Sequence, residues 1–215
     1  MMLRYKSDFP NQVHQLNVSL SKHYTVLNDG TIKWQAKEFD INWNNYKKTG
    51  KKHLATYIIR DHFSNCFYAE LHSVDKMPLI QEFLFNAWTQ KNDYPFHGMP
   101  TCLIVPKTTQ EQFPSIEKFF SKFKGKLYMQ TPTSGFSSAV VSIRQWERFI
   151  NYFTGFYKDC KTLIQFQENI QLINKETNAF GSSKREDNNL QKWADNNPKI
   201  IDIGNDRTKF YSLFD

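Results

Sequence analysis

The apolar residues of this chain change their period near Asp75, and that change restricts the fold to a sheet covered by helices. Before it, Val13, Leu16, Val18 and Leu20, then Tyr24–Leu27 and Thr31–Trp34, follow strand-like patterns. Asn28-Asp29-Gly30 between the last two is a hairpin signal, because an Asp-Gly pair supplies the positive φ angles of a tight turn. A polar connector, residues 44–52, carries Lys47, Lys48, Lys51 and Lys52 around Gly50 and leads to two more strands. These are His53–Ile59 and Asn65–Leu71, joined through residues 60–64. After Asp75, Leu79, Phe83, Leu84, Ala87 and Trp88 recur at three- and four-residue intervals, as one buried face of a helix does. Thr101–Val105 is a short apolar run of the kind found in central strands. Pro114 opens a second helix, Gly125 stops it, and residues 126–130 form another strand. Val141, Trp146, Phe149, Ile150 and Phe153 mark a long helix from Ser138, and a further helix is expected over residues 158–174. Strands first, then helix, strand, helix, strand, helix, predict an α/β domain with a mixed sheet between helices.

The C-terminal part is looser. Residues 178–189 are polar and centre on Gly181-Ser182-Ser183, the composition of a linker. Leu190–Trp193 is a short helical patch, and Phe210, Tyr211, Leu213 and Phe214 form an aromatic end expected to dock on the domain. The chain divides into a core domain, residues 1–156, and a small helical extension, residues 157–215. Trp88 and Trp146 fall on helix core faces, which leaves Trp43 and Trp193 as surface candidates.

Lys and Arg number 28 against 21 acids, a net charge of +7, which favours acidic partners such as nucleic acid. Nothing approaches the roughly 18 apolar residues of a membrane span, and the N-terminus has no apolar signal core, so membrane insertion and secretion are not expected. Cys66, Cys102 and Cys160 form neither a zinc pattern nor a disulfide framework, and a reducing cytoplasm suits them. A Gly-rich phosphate loop, a Gly-x-Ser-x-Gly elbow and a His-Glu-x-x-His zinc helix are all absent from the sequence. His14 and His53 are read as structural residues rather than ligands.

Four segments, in order, resemble the retroviral-integrase-like catalytic core of DDE transposases, an RNase H-like fold. Pro10-Asn-Gln-Val-His-Gln-Leu-Asn-Val18 resembles the first strand, where the family commonly has Trp in place of His14. Leu54–Leu71, with Asp61-His-Phe-Ser64, resembles the second and third strands and the Asp-x-x-Ser turn between them. Gly98–Ile104 resembles the approach to the second catalytic Asp, and Pro132-Thr-Ser-Gly135 the segment before the helix that carries the catalytic Glu. The resemblance spans roughly residues 10–155 and implies a mixed five-stranded sheet flanked by helices.

In that family three carboxylates hold two Mg²⁺ or Mn²⁺ ions for phosphodiester transfer. Carried onto this sequence, the first acid falls on Asn17 and the second on Pro106. The third falls on Ser142, with 35 residues between it and Pro106 as in retroviral-type cores. All three acids are replaced under this alignment, so no catalytic residue is intact and no metal or other cofactor is expected. The resemblance then implies a catalytically inactive core that acts as a nucleic-acid-binding or assembly subunit related to DNA integration or transposition. Lys47, Lys48, Lys51 and Lys52, expected beside the active face, and Arg144 and Arg148, four apart on one helix face, are the candidate phosphate contacts. Two alternatives stand beside this reading. One is a protein–protein interaction or regulatory module derived from a transposase, in which a protein partner or transposition complex takes the place of DNA. The other is an active Mg- or Mn-dependent polynucleotidyl transferase that uses displaced acids, Asp40, Asp61 and Glu147. Glu147 lies about one helical turn beyond Ser142.

Overall fold

The alternating N-terminal segments merge into one long central strand in the computed structural model, which describes residues 7–123, 127–130, 137–156, 160–180 and 188–215. Strand β1 (Val13–Val26) pairs antiparallel with β3 (Lys52–Asp61), and β3 pairs antiparallel with β4 (Phe67–Ser73) at the sheet edge. On its other side β1 pairs in parallel with β5 (Cys102–Ile104), which pairs in parallel with β6 (Tyr128–Gln130). The order is β4-β3-β1-β5-β6, and the short strand β2 (Ile32–Trp34) adds to the far end of β1. The expected five-stranded mixed sheet is this path, and β2 is a sixth strand beside it.

Two local details differ from expectation. The segments ending at Leu20 and starting at Tyr24 are one strand broken by a bulge, where Ser21 Oγ accepts the backbone N–H of Tyr24 at 3.0 Å. In the hairpin only Gly30 has positive φ, 86°, while Asp29 does not. Gly30 N–H donates to Leu27 C=O at 3.0 Å, and Asp29 Oδ1 accepts the Thr31 N–H at 2.9 Å. The loop is therefore a turn followed by one left-handed glycine, not a two-residue hairpin.

The helices are α1 (Ile80–Trp88), α2 (Lys107–Gln112), α3 (Ser115–Ser121), α4 (Ser137–Phe156), α5 (Leu163–Glu168), α6 (Ile170–Phe180), α7 (Asn189–Asp195) and α8 (Arg207–Tyr211). The single helix expected over residues 158–174 is instead α5 and α6. Thr162 starts α5 with a reciprocal capping box to Gln165, and the chain breaks helix at Asn169. Helix α6 runs on to Phe180, so the polar stretch from 178 begins inside a helix, with Asn178 fully buried. The linker centre 181–187, Gly125 and Pro132–Gly135 lie outside the described residues.

Strand alternation separates two cores. Leu16, Val18, Tyr57 and Ile59 face α1 and α3, where they meet Phe83, Trp88 and Phe119. Leu54 and Ile58 face α4 and α6, where they meet Trp146, Ile150 and Ile173. The aromatic end docks on the first core as expected: Phe210 and Phe214 are buried, and Phe214 stacks on Phe119 with centroids 4.5 Å apart. Trp193 is not the surface residue its position suggested. It is 3% exposed in the same core and donates its indole N–H to Asn11 Oδ1 at 3.0 Å. Trp43 is half-buried against that core as well.

The exposed edge of β4 is closed by side chains. Asn174 accepts the Ala69 N–H at 3.0 Å and donates to the Ala69 C=O at 2.9 Å. One helical turn later Asn178 does the same for Phe67, at 3.0 and 2.9 Å. Gln167 donates to the Leu71 C=O at 3.1 Å. Helices α5 and α6 thus present to the edge the donors and acceptors that a seventh strand would have supplied.

Candidate functional site

The α4 face of the sheet carries a polar strip among its apolar residues. Gln15, Asn17 and Ser19 alternate onto this face of β1, opposite Arg60, Ile58 and Thr56 of β3. Helix α4 lays its buried side over them with Ser142, Ile143, Trp146, Glu147 and Ile150. Asn17 and Ser142 are 7% and 5% exposed, so both amide and hydroxyl lie at the covered side of the sheet. Pro106 follows Ile104 by two residues, as Asn17 follows Gln15, and Gln15 and Ile104 are partners in the parallel ladder. Pro106 therefore stands level with Asn17, where it forms the residue before α2. Asn17 and Ser142 share one side of the sheet, and Pro106 ends the neighbouring strand.

The charged groups of this face are buried. Arg60 donates from Nη1 to Gln15 Oε1 at 2.6 Å and from Nη2 to Asn65 Oδ1, while its Nε has no partner among the described residues. Burial brings its pKa down to about 10, against the opposing pull of Asp61. Glu147 accepts a hydrogen bond from Thr56 Oγ1 at 2.9 Å. Burial pushes its carboxyl up to about 7, opposed by hydrogen bonds from Thr56 and Ser21.

The displaced acids do not converge. Asp61 alternates to the opposite face from Thr56 and Glu147. There its carboxylate accepts the Asn11 N–H at 2.8 Å and the Ser64 N–H and hydroxyl at 2.7 and 2.6 Å. It closes the turn between β3 and β4, an Asx-type role. Asp40 is exposed in the loop before the connector, where its carbonyl accepts from Asn45 at 3.4 Å. Among the described residues no group of three His, Cys, Asp or Glu side chains is placed to hold a metal ion. His14, 4.0 Å from Asp61, is not half of an ion pair at neutral pH, because burial lowers its pKa to about 3. Trp88 Nε1–H donates to His14 Nδ1 at 3.3 Å, so the ring proton sits on Nε2 and is given to Asn11 Oδ1 at 3.0 Å.

The lysines are placed elsewhere than expected. Lys47 and Lys48 sit on a 3-10 turn, Tyr46–Thr49, and Lys52 opens β3 opposite Val26. Strand β3 is antiparallel to β1, so the connector joins where β1 ends, nine residues past Asn17 and up to about 30 Å along the strand. The four lysines thus belong to the far end of the sheet, not to the polar strip. Arg144 and Arg148 are on the exposed side of α4. A cleft of about 310 Å³ opens at the far end, lined by Thr25, Lys33, Gln35, Gly50, Lys51 and Lys52. Sequence reasoning missed Lys33 and Gln35 there, although seven lysines against three acids between residues 22 and 52 were a visible signal.

A second, larger cleft of about 1670 Å³ runs along β4 between α5–α6 and the chain after α1. At its wall Glu70 accepts from Tyr68 OH at 2.8 Å, from His72 Nε2 at 2.7 Å and from Asn86 at 3.1 Å. Lys91 donates to the carbonyls of Ala87, Thr89 and Phe96 and caps the end of α1.

No protein-family model matches the chain, and no curated protein matches it. Among solved structures, the HTLV-2 integrase catalytic core domain in complex with magnesium, in its trimeric form, is similar with a TM-score of 0.51 and 12% identity. The match covers 85% of this chain and 95% of that one. The dimeric form of that domain gives a TM-score of 0.49 at 11% identity, over 86% and 99% of the two chains. With its mixed β4-β3-β1-β5-β6 sheet between helices, this chain has an integrase-core-like, RNase H-like fold.

Proposed function

We propose that this protein is a transposase-derived, integrase-core-like subunit that binds nucleic acid, or helps assemble a complex on it, without metal-dependent strand transfer. The reading is supported by Asn17, Pro106 and Ser142, which stand where the sequence resemblance calls for three acids. A two-metal site needs anionic oxygen ligands at those points. An amide, a proline and a hydroxyl do not fit that group, and the Glu147 carboxyl on the same face is engaged with Thr56 under α4. The opposed faces of Asp61 and Glu147 weigh against a displaced-acid transferase.

Binding of nucleic acid rests on the net charge of +7 and on the exposed Lys47, Lys48, Lys51 and Lys52. The purified protein is expected to shift labelled DNA at low salt, with affinity falling steeply as salt rises. It is expected to show no strand cleavage with Mg²⁺ or Mn²⁺. Cleavage abolished by Glu147→Gln would overturn the inactive reading, and absence of any shift at low salt would overturn nucleic-acid binding. A second reading, an interaction module, draws on Ile164 and Leu172, which are 68% and 39% exposed beside the larger cleft. A strictly monomeric protein with no partner in pull-down would remove it.

A further inference from the structure

We infer that the far end of the β2-β1-β3 ladder is a binding site for single-stranded nucleic acid, with phosphates in the cleft of Lys33, Lys51 and Lys52 and a base on Trp34. The inference rests on the nucleic-acid reading above and specifies its site and ligand. Three observations meet there. First, the segment from Lys22 to Lys52 holds seven lysines and three acids (Asp29, Glu38 and Asp40), a surplus of four in a chain whose net charge is +7. Among the described residues none of these lysines is in an ion pair, and all but Lys22 are exposed. Second, the surface is concave: Lys33, Lys51 and Lys52 are among the residues that line the cleft of about 310 Å³, with Thr25, Gln35 and Gly50. Cationic residues that line a concavity raise the local potential above that of the same charges on a convex surface.

Third, Trp34 is 37% exposed on the neighbouring rim. Lys33 and Trp34 are consecutive on a three-residue edge strand, so alternation turns the lysine into the cleft and the indole to its other side. His23 stacks on the indole, with centroids 6.1 Å apart and planes at 25°, and Trp34 stays partly exposed to a ligand. A strand laid across β2 sets its backbone against the lysines and one base over Trp34. Bases of a duplex are already stacked on each other, and only an unpaired base can use the indole. An anionic membrane would use the same charge. It would also need an apolar face to insert, and the lobe exposes only Leu27 and Trp34 as large apolar residues.

The test uses the full chain and fluorescence anisotropy with labelled oligothymidylate, longer than the roughly 4–16 nucleotides such a groove occupies, against a duplex of equal length. Oligothymidylate is expected to bind more tightly than the duplex. Trp34→Ala is expected to weaken it at least about fivefold and Trp34→Phe to restore most of the loss. The triple variant Lys33→Glu, Lys51→Glu, Lys52→Glu is expected to weaken both ligands and to lower the log–log salt slope by about 2, since each single-strand phosphate that a lysine neutralises adds about 0.7 to that slope. Binding by the wild type that survives in these variants but is lost in Arg144→Glu, Arg148→Glu would overturn the site and leave nucleic-acid binding standing. Equal affinity for duplex, unchanged by Trp34→Ala, would overturn the single-strand assignment. Flotation with phosphatidylserine vesicles and no oligonucleotide binding would overturn both the site's ligand and the nucleic-acid reading. Loss of binding in the variants counts only where their thermal midpoints match the wild type, which the exposure of these side chains leads us to expect.

Discussion

Glu147 is 2% exposed, with the Thr56 hydroxyl as donor, and a carboxyl so placed is more stable protonated than charged. Its pKa in the fold, about 7, lies above the ordinary 4.5, so the folded state binds the proton more tightly than the unfolded chain. The associated stability is complete below the ordinary value and is lost as pH rises through about 7. For a shift of this size the loss is on the order of 3 kcal/mol. The melting temperature of the wild type is expected to fall between about pH 5 and pH 8. Glu147→Gln, which keeps the shape and stays neutral, is expected to flatten that profile; an unchanged slope would show that Glu147 is not its source. His14 works in the opposite sense. Its pKa is depressed to about 3, so its contribution is present above the ordinary 6.5 and is lost as pH falls through about 3. Melting curves in the acid range are expected to show that loss relieved in His14→Gln, provided the amide keeps the bond to Asn11.

At the scale of elements, the edge of β4 depends on two asparagines. Asn174→Ala leaves the buried N–H and C=O of Ala69 without these partners, whereas Asn178→Ala does so only for the N–H of Phe67, whose C=O keeps the Tyr94 hydroxyl. At about 1–3 kcal/mol for each orphaned group, Asn174→Ala is expected to lose about 2–6 kcal/mol in urea denaturation and Asn178→Ala about 1–3 kcal/mol. The amides of Ala69 and Phe67 are expected to lose hydrogen-exchange protection locally, and protection unchanged in both variants would contradict the pairing. This arrangement is not legible in the sequence. Periodicity finds helices through their apolar residues, and a buried asparagine ladder reads as a polar, linker-like stretch, which is why residues from 178 onward resemble a loop in sequence. The strands of the first half are legible because Leu16, Val18 and Leu20 alternate in β1, β3 and β4 are short apolar runs, and Gly30 marks the turn. Their ends are less so, since the bulge at Ser21 interrupts the alternation without ending the ladder.

At the scale of the molecule, the C-terminal helices complete the core under α1 and α3. Phe210 and Phe214 are 2% and 3% exposed, and each Phe→Ala variant is expected to cost about 3–5 kcal/mol, read from the shift of the denaturation midpoint. A loss below about 1 kcal/mol would mean the tail packs loosely. The order of elements around the sheet is legible, because sequence order and strand type leave few right-handed topologies. The placement of the lysines is not, since it depends on which end of β1 the connector reaches, a matter of antiparallel pairing that no local pattern encodes. Nor is the burial of Trp193, whose partner Asn11 stands 182 residues away. That pairing sets an order in time. Asn11 Oδ1 receives both the His14 ring proton and the Trp193 indole, so the polar knot at the start of β1 closes only when α7 arrives. A chain emerging from the ribosome makes this central strand and then waits, from Asn11, through 182 further residues for the one that seals it. Such long-range closure slows folding, and during the wait the first apolar face of the sheet stays open to any chaperone or neighbour that reaches it.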